Sequence, residues 1–240
     1  MDKTDEFIED LYNYADEEMQ EVYKKQDADK KELLNHIANI LLIYTILDSV
    51  LKLKKSEQIP LINKLCKVIL DNSDSENTLV EEKITKVLKN TVKNSSKFYD
   101  IDLINKDAFK IVKMKYKGEK FSDRVWGNGK EAAQVLQSQI EKLVKGQISV
   151  NDIKKNIDKI YKNKKYEVQR LADTEISRVH NEVFKKYCKE NDIKEVIYKA
   201  TLCHTCSLCR ADHNKVFKID EAPEVPRHPF CHCYWTYIYK

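Results

Sequence analysis

Five of the seven cysteines and four of the six histidines fall between Cys203 and Cys233, and their spacing is that of soft metal ligands. The segment reads CHTCSLC, then an eighteen-residue interval, then HPFCHC. Cys206 and Cys209 form a CxxC pair, and His228 and Cys231 form an HxxC pair. A two-residue gap lets one tight turn aim both side chains at a single centre, about 2.3 Å from each sulfur, so two such turns close a tetrahedral zinc site. The expected ligands are Cys206, Cys209, His228 and Cys231, with Cys233 the alternative for the fourth place. Cys203, His204, His213 and His232 are then surplus, and Cys66 and Cys188 read as ordinary thiols. Three thiolates and an imidazole leave no open position for an activated water, so the expected cofactor is structural Zn2+.

Other chemistries fit less well. Clustered cysteines in a secreted protein would pair as disulfides, but seven is an odd count and the opening MDKTDEF has no apolar core of a signal peptide. A zinc deaminase needs an HxE before a PCxxC, and neither motif is present. An HNH-like metal nuclease is the nearest enzymatic alternative, because Asp212, His213 and Asn214 adjoin the first knuckle, with His232 in the second. The plainer reading of those three neighbours is a polar turn, so no enzymatic activity is expected.

The two knuckles need a hairpin to bring them together. Asn214 tolerates the left-handed conformation of a tight turn, and residues 216–219 read as a returning strand. Further short strands are expected at 195–199 and 234–239. Pro223, Pro226 and Pro229 stiffen the second knuckle and reduce the entropy lost on closure.

The body that carries this region reads as helical. Only four glycines and four prolines in 240 residues leave little room for irregular linkers. Leu33, Leu34, Ile37, Ile40, Leu41, Tyr44, Leu47 and Leu51 recur at helical steps and predict one long amphipathic helix. A second helix starts near Ile59 and Pro60 and ends at DNSDSEN, and Thr78 with Glu81 makes a capping box for a third. A short helix is expected over 107–116, followed by FSDRVWGNGK as a loop anchored by Trp126. Further helices follow over 131–145, stopping at Gly146, then from the Ser149–Asp152 cap, and over 166–191. The fold class is therefore α+β, predominantly α-helical, with a small C-terminal zinc-stapled β-hairpin region. Residues 1–95 are expected as a helical bundle or docking arm. Residues 96–240 form the second domain, with helices in 107–191 and the zinc-binding β region in 193–240.

Charge and hydropathy add weaker constraints. The formal net charge is +4, but residues 1–21 carry nine acids and one lysine, leaving about +12 for the remainder. The acidic head would repel nucleic acid or pair with a basic surface, whereas the rest favours polyanions. Tyr234, Trp235, Tyr237 and Tyr239 offer rings to such a partner. The most apolar stretch, 33–47, is too short and too interrupted to span a membrane, so no membrane partner is expected, and with no signal peptide either, synthesis is expected in the cytoplasm. No small-molecule substrate is expected. On the 166–191 helix, Arg170 with Thr174, Glu175 with Arg178, and Arg178 with Glu182 lie three or four apart. They are either surface pairs or a buried network tying this helix to the zinc hairpin.

Several segments, in order, match one pattern: KFSDRVW, KLVKGQISVNDI, VQRLADTEISRVHNEVFKKY, TCSLCRADHNKVF and VPRHPFCHC. Together, over roughly residues 100–236, they resemble the phage Mu F-like minor head protein family, also called phage head morphogenesis or minor capsid proteins. The resemblance places Arg170, Thr174 and Glu175 in the family's RTE-like helix. It places Cys206 and Cys209 in the first knuckle, and His228, Cys231 and Cys233 in the second. His213 and Asn214 stand where the family usually has Asp-Gly, and Cys231-His232-Cys233 where it usually has CRC. The resemblance implies a structural protein of a tailed phage or prophage, made in the bacterial host cytoplasm and carried in the virion head near the portal vertex. Its implied partners are portal or capsid protein and, non-specifically, double-stranded DNA during packaging or ejection.

Overall fold

The computed structural model describes residues 3–201 and 205–237, so Cys203, His204 and Tyr239 lie outside the described residues. The chain is α+β and mostly helical, with small antiparallel sheets. In chain order the elements are α1 (Lys3–Ile43), β1 (Thr45–Leu47), β2 (Val50–Lys52), α2 (Lys55–Phe98), α3 (Asn105–Val112) and α4 (Phe121–Val144). They continue with α5 (Val150–Glu190), β3 (Glu195–Lys199), α6 (Ser207–Asp212), β4 (Val216–Lys218) and β5 (Tyr234–Tyr237). No helix among the described residues is long and apolar enough to cross a membrane.

Two compact units form from interleaved segments. One takes Met1–Glu18, Glu82–Phe121 and Gln169–Lys240, and the other takes Met19–Glu81 and Ser122–Val168. Residues 1–95, expected as a helical bundle or docking arm, contribute to both.

The second of these units packs Leu33, Ile37 and Ile40 of α1 and Leu65 and Ile69 of α2 against Leu136, Ile140 and Leu143 of α4 and Ile153 and Ile157 of α5. Three sequence expectations fail in it, each for a physical reason. DNSDSEN does not end a helix: α2 runs through it with Ser73, Glu76 and Asn77 buried, and Ser73 and Glu76 have partners on other helices. Gln26 Nε2 donates to Glu76 Oε1 at 2.8 Å, and Lys164 pairs with its other oxygen at 2.5 Å. Thr78 bonds back to the Asp74 carbonyl instead of capping a new helix. FSDRVWGNGK is not a loop but the first turns of α4, where Trp126 is half exposed and donates to Glu81 Oε2 at 2.8 Å. Lastly, the α1 stripe does not continue to Leu51. Asp48 and Ser49 adopt φ of 52° and 63°, the left-handed pair of a two-residue turn, and the chain reverses into the β1–β2 hairpin.

Gly129 explains how α4 approaches α2 so closely. A Cβ there would collide with the buried side-chain amide of Asn77, and Ser73 Oγ donates to the Gly129 carbonyl at 3.3 Å. A Gly129→Val substitution is expected to destabilise the protein by about 1–3 kcal/mol through overpacking. Denaturant unfolding checks this, with Gly127→Val, which meets open space, as the control. The Gly146 expectation holds: φ is +68°, Gly146 N donates to the Leu143 carbonyl and Gln147 N to that of Lys142, which is a Schellman cap. Ser149 likewise caps α5, accepting from Asp152 N at 3.1 Å.

In the other unit, the start of α1, the end of α2 and the second half of α5 enclose an aromatic core. Phe7 stacks on Phe98 at 4.2 Å between centroids, and Phe98 meets Tyr99 edge-on at 5.0 Å. His180 lies inside, 1 % exposed, with Nδ1 3.1 Å from Ser95 Oγ and Nε2 3.3 Å from Tyr99 OH. Burial pushes its pKa down to about 3, so the folded protein holds the neutral ring while the unfolded chain takes up a proton below about pH 6.5. Stability is therefore complete above pH 6.5 and falls as the pH drops towards 3, by up to ~1.4 kcal/mol per pH unit from this group. A His180→Gln variant is expected to be less stable at neutral pH and to show a shallower loss between pH 6.5 and 4 in thermal melts.

Candidate metal centre

A three-stranded antiparallel sheet in the order β4-β3-β5 carries the cysteine region. Val196 of β3 faces Phe217 on one side and Tyr237 on the other, and Tyr198 faces Trp235. The expected strands at 195–199 and 216–219 are present as β3 and β4, and Tyr234–Tyr237 forms β5. Asn214 has φ of 64° and its N–H donates to the Tyr198 carbonyl at 2.8 Å, so it makes the left-handed turn into β4.

The first knuckle is a helix start. Cys206 is the N-cap of α6, and its Sγ accepts from the Cys209 N–H at 3.4 Å. That bond is the largest cause holding the Cys206 thiol below its usual pKa. The second knuckle turns at His228, whose carbonyl accepts from Cys231 N at 3.1 Å, with Phe230 at φ 61°. Cys209 Sγ lies 3.8 Å from His228 Nε2 and 4.0 Å from Cys231 Sγ. Ligands about 2.3 Å from a tetrahedral ion are about 3.8 Å apart, so these separations are tetrahedron edges.

The ligand atoms gather as two triads that share Cys209: Cys206, Cys209 and His228, and Cys209, Cys231 and Cys233, each within 4.8 Å of one another. This Cys/His group could hold a metal ion. Both candidates for the fourth place therefore sit beside Cys209. Their protonation differs. A hydrogen bond from Cys233, together with main-chain bonds and His228, holds the Cys231 thiol at about 5 against its burial, whereas Cys233 is pushed up. Cys231 is thus the more readily ionised of the two. Burial raises Cys209 to about 11. Several buried sulfurs so close together disfavour ionisation until a cation joins them, which is the donor chemistry of a soft metal ion.

Around the sulfurs stands a polar frame. Tyr198 OH donates to Cys209 Sγ at 3.1 Å. From α5, Ser177 Oγ and Asn181 Nδ2 approach the Cys233 carbonyl at 3.3 and 3.5 Å, and Asn181 Oδ1 accepts from Trp235 N at 3.1 Å. Thr174 Oγ1 accepts from Phe230 N at 3.2 Å, and Asp173 pairs with His232 Nε2 at 2.9 Å. The His232 ring stacks on Tyr12 at 3.9 Å. Residues 171–181 are all buried, so the expected RTE-like residues form an internal network and not surface pairs. Glu175, fully buried, accepts from Arg178 Nε at 2.6 Å, and Arg178 also donates to the Ile111 and Val112 carbonyls at the end of α3. Arg170 is half-buried and its carbonyl accepts from Thr174 Oγ1 at 2.6 Å. Glu182 pairs with Lys185, not with Arg178. The residues missed from sequence are Asp173, Ser177 and Asn181, although their i, i+4, i+8 spacing places them on one helix face.

The remaining candidates have structural partners. Asp212 pairs with Arg227 at 2.5 Å and Lys215 at 3.0 Å, which holds its carboxyl below the usual range. His213 Nδ1 accepts from Ala200 N at 3.1 Å. Among the described residues, neither of these nor His232 belongs to a group of potential metal ligands. Tyr234 and Trp235, expected as rings for nucleic acid, are core residues at 2 % and 1 % exposure, so stacking on bases is closed to them. Cys66 is half-buried and Cys188 fully buried, both as free thiols, with Cys188 raised to about 12 by burial. Comparisons with family models, with curated proteins and with solved structures find no match for this chain.

Proposed function

We propose that this chain is a non-enzymatic assembly protein of the phage Mu F-like minor head type, whose Cys/His group binds one structural zinc ion. The observation that carries the zinc reading is the convergence of both knuckles on Cys209, which has nitrogen and sulfur neighbours at 3.8 and 4.0 Å and is shared by two ligand triads. Cys206, Cys209, His228 and Cys231 would hold the ion, with Cys233 beside them as the alternative fourth ligand. When bound, zinc supplies charge neutralisation for the buried thiolates and a cross-link between the two knuckles. The chain's own residues do the rest: α5 fixes the second knuckle through Thr174, Ser177 and Asn181, and Cys206 caps α6 to fix the first.

The minor head reading rests on the ordered match of the RLADTEIS helix, CxxC and HPFCHC. Its support in the fold is that these segments form one packed assembly, α5 against the cysteine sheet, as a structural module requires. A few copies per head, docked on portal or capsid protein, is the expected setting. Mass spectrometry of purified phage particles from the producing host tests this. Finding the chain in the head fraction with portal protein supports it, and its absence from particles overturns it.

A further inference from the structure

The β1–β2 hairpin exposes an apolar surface that the metal centre does not use. Leu42 is 84 % exposed, Ile43 75 %, Leu47 56 % and Ile46 42 %, and Ile59 at the start of α2 is 67 % exposed. Residues 42–47 read LIYTIL, without charge, glycine or proline. Native sheets usually blunt an edge with charge, proline or a covering element, and Thr45, Ile46 and Leu47 of β1 carry neither charge nor proline.

The hairpin is held from one side only. Leu51 of β2 is buried in the unit's core, the Ser49 carbonyl accepts from Val150 N at 2.9 Å, and the Leu51 carbonyl lies too close to Gly146 for a Cβ there. Among the described residues β1 pairs with β2 alone, and its other edge carries no strand. The register fixes which groups that edge offers. The turn at Asp48 and Ser49 closes on Leu47 opposite Val50, the hydrogen-bonded pair of a two-residue hairpin. Pairs alternate, so Ile46 opposite Leu51 is a non-hydrogen-bonded pair, and the Ile46 N–H and C=O point away from β2.

Those two groups decide between classes of occupant. Lipid cannot hydrogen-bond a backbone edge, whereas another strand can. We propose that β1 pairs with β1 of a second copy of this chain, antiparallel about a two-fold axis at Ile46, to give a four-stranded sheet. The two Ile46 residues then exchange both backbone hydrogen bonds, and Thr45 lies opposite Leu47 of the other copy. The segment is self-complementary in the way a two-fold contact requires. No like charges meet, because Lys52, the charge across from Thr45, lies on the outer strand. A two-stranded ribbon is also marginal by itself in water, and pairing brings it to a stable strand number. This proposal is independent of the metal site and of the phage reading.

Light scattering on the full chain, as a function of concentration, tests it. Wild type is expected to approach twice its 28.3 kDa mass. Ile46→Lys and Ile46→Glu, each placing like charges opposite one another, are expected to remain monomeric with unchanged helical circular dichroism. An equimolar mixture of the two variants is expected to recover the dimer, because opposite charges then face. A wild-type chain that stays monomeric at its highest soluble concentration overturns the proposal, as does a dimer that both variants leave intact.

Discussion

Replacing Cys209 with serine is expected to remove the metal ion and unfold the β4-β3-β5 sheet, with a loss above ~4 kcal/mol, the scale reached when a bound metal is lost. Cys209 is the sulfur common to both ligand triads and also accepts from Tyr198 OH at 3.1 Å, so no other position touches as much of the site. Hydrogen exchange localises the effect: protection should vanish at Val196, Tyr198 and Trp235 and persist at Ile140 and Leu143. Chelation of the wild type should reproduce the pattern. Cys231→Ser is expected to behave like Cys209→Ser, while Cys233→Ser keeps the ion, because the hydrogen bond between the two lowers the pKa of the Cys231 thiol and raises that of Cys233. Cys66→Ser, remote from the knuckles in sequence and outside both triads, should keep both metal and sheet. Loss of metal in Cys233→Ser with retention in Cys231→Ser would reverse the assignment of the fourth ligand.

The second large effect is expected at the buried ion pair of α5. Glu175→Ala leaves Arg178 buried without its carboxylate, and removal of one partner from a buried pair costs about 3–5 kcal/mol. Arg178 is 4 % exposed, and besides Glu175 it holds the last carbonyls of α3, Ile111 and Val112. Its positive charge there also complements the negative end of that helix. At roughly 2–4 °C per kcal/mol for a chain of this size, the melting temperature should fall by about 6–20 °C. Calorimetry checks this, and the metal content should be unchanged, which separates the effect from that of Cys209→Ser. Thr174→Val is expected to be milder, about 1–2 kcal/mol, because it leaves the Phe230 N–H without its acceptor.

The clustered cysteines, His228 and their strands were readable because their local spacing does most of the work. CxxC and HxxC each need only one turn, and Asn214 announces the reversal into β4. The helices were harder at positions where core and surface chemistry look alike. Ser73, Glu76 and Asn77 read as a break because such residues favour turns, but Gln26 and Lys164 pair with Glu76, and the Gly129 carbonyl accepts from Ser73, all from other helices. Gly127 and Gly129 read as a loop, yet Gly129 is a helical residue that admits Asn77. Tyr44, Leu47 and Leu51 kept helical spacing by coincidence. Asp48-Ser49 lacks the glycine that usually marks a two-residue hairpin, so the reversal into β2 left little trace in the pattern. On α5, Arg170, Thr174, Glu175 and Arg178 were visible as a polar set, but only the packed second knuckle turns them into supports. Nothing in spacing alone marks Ser177 as the donor to the Cys233 carbonyl or Asn181 as the acceptor for Trp235 N–H.

Elemental analysis of the full chain, purified without added metal or chelator, bears most directly on the stapled site. About one zinc per chain is expected, with none in Cys209→Ser. A metal-free chain whose β3 and β5 amides are already protected from exchange would contradict it, because the knuckles would then close without an ion.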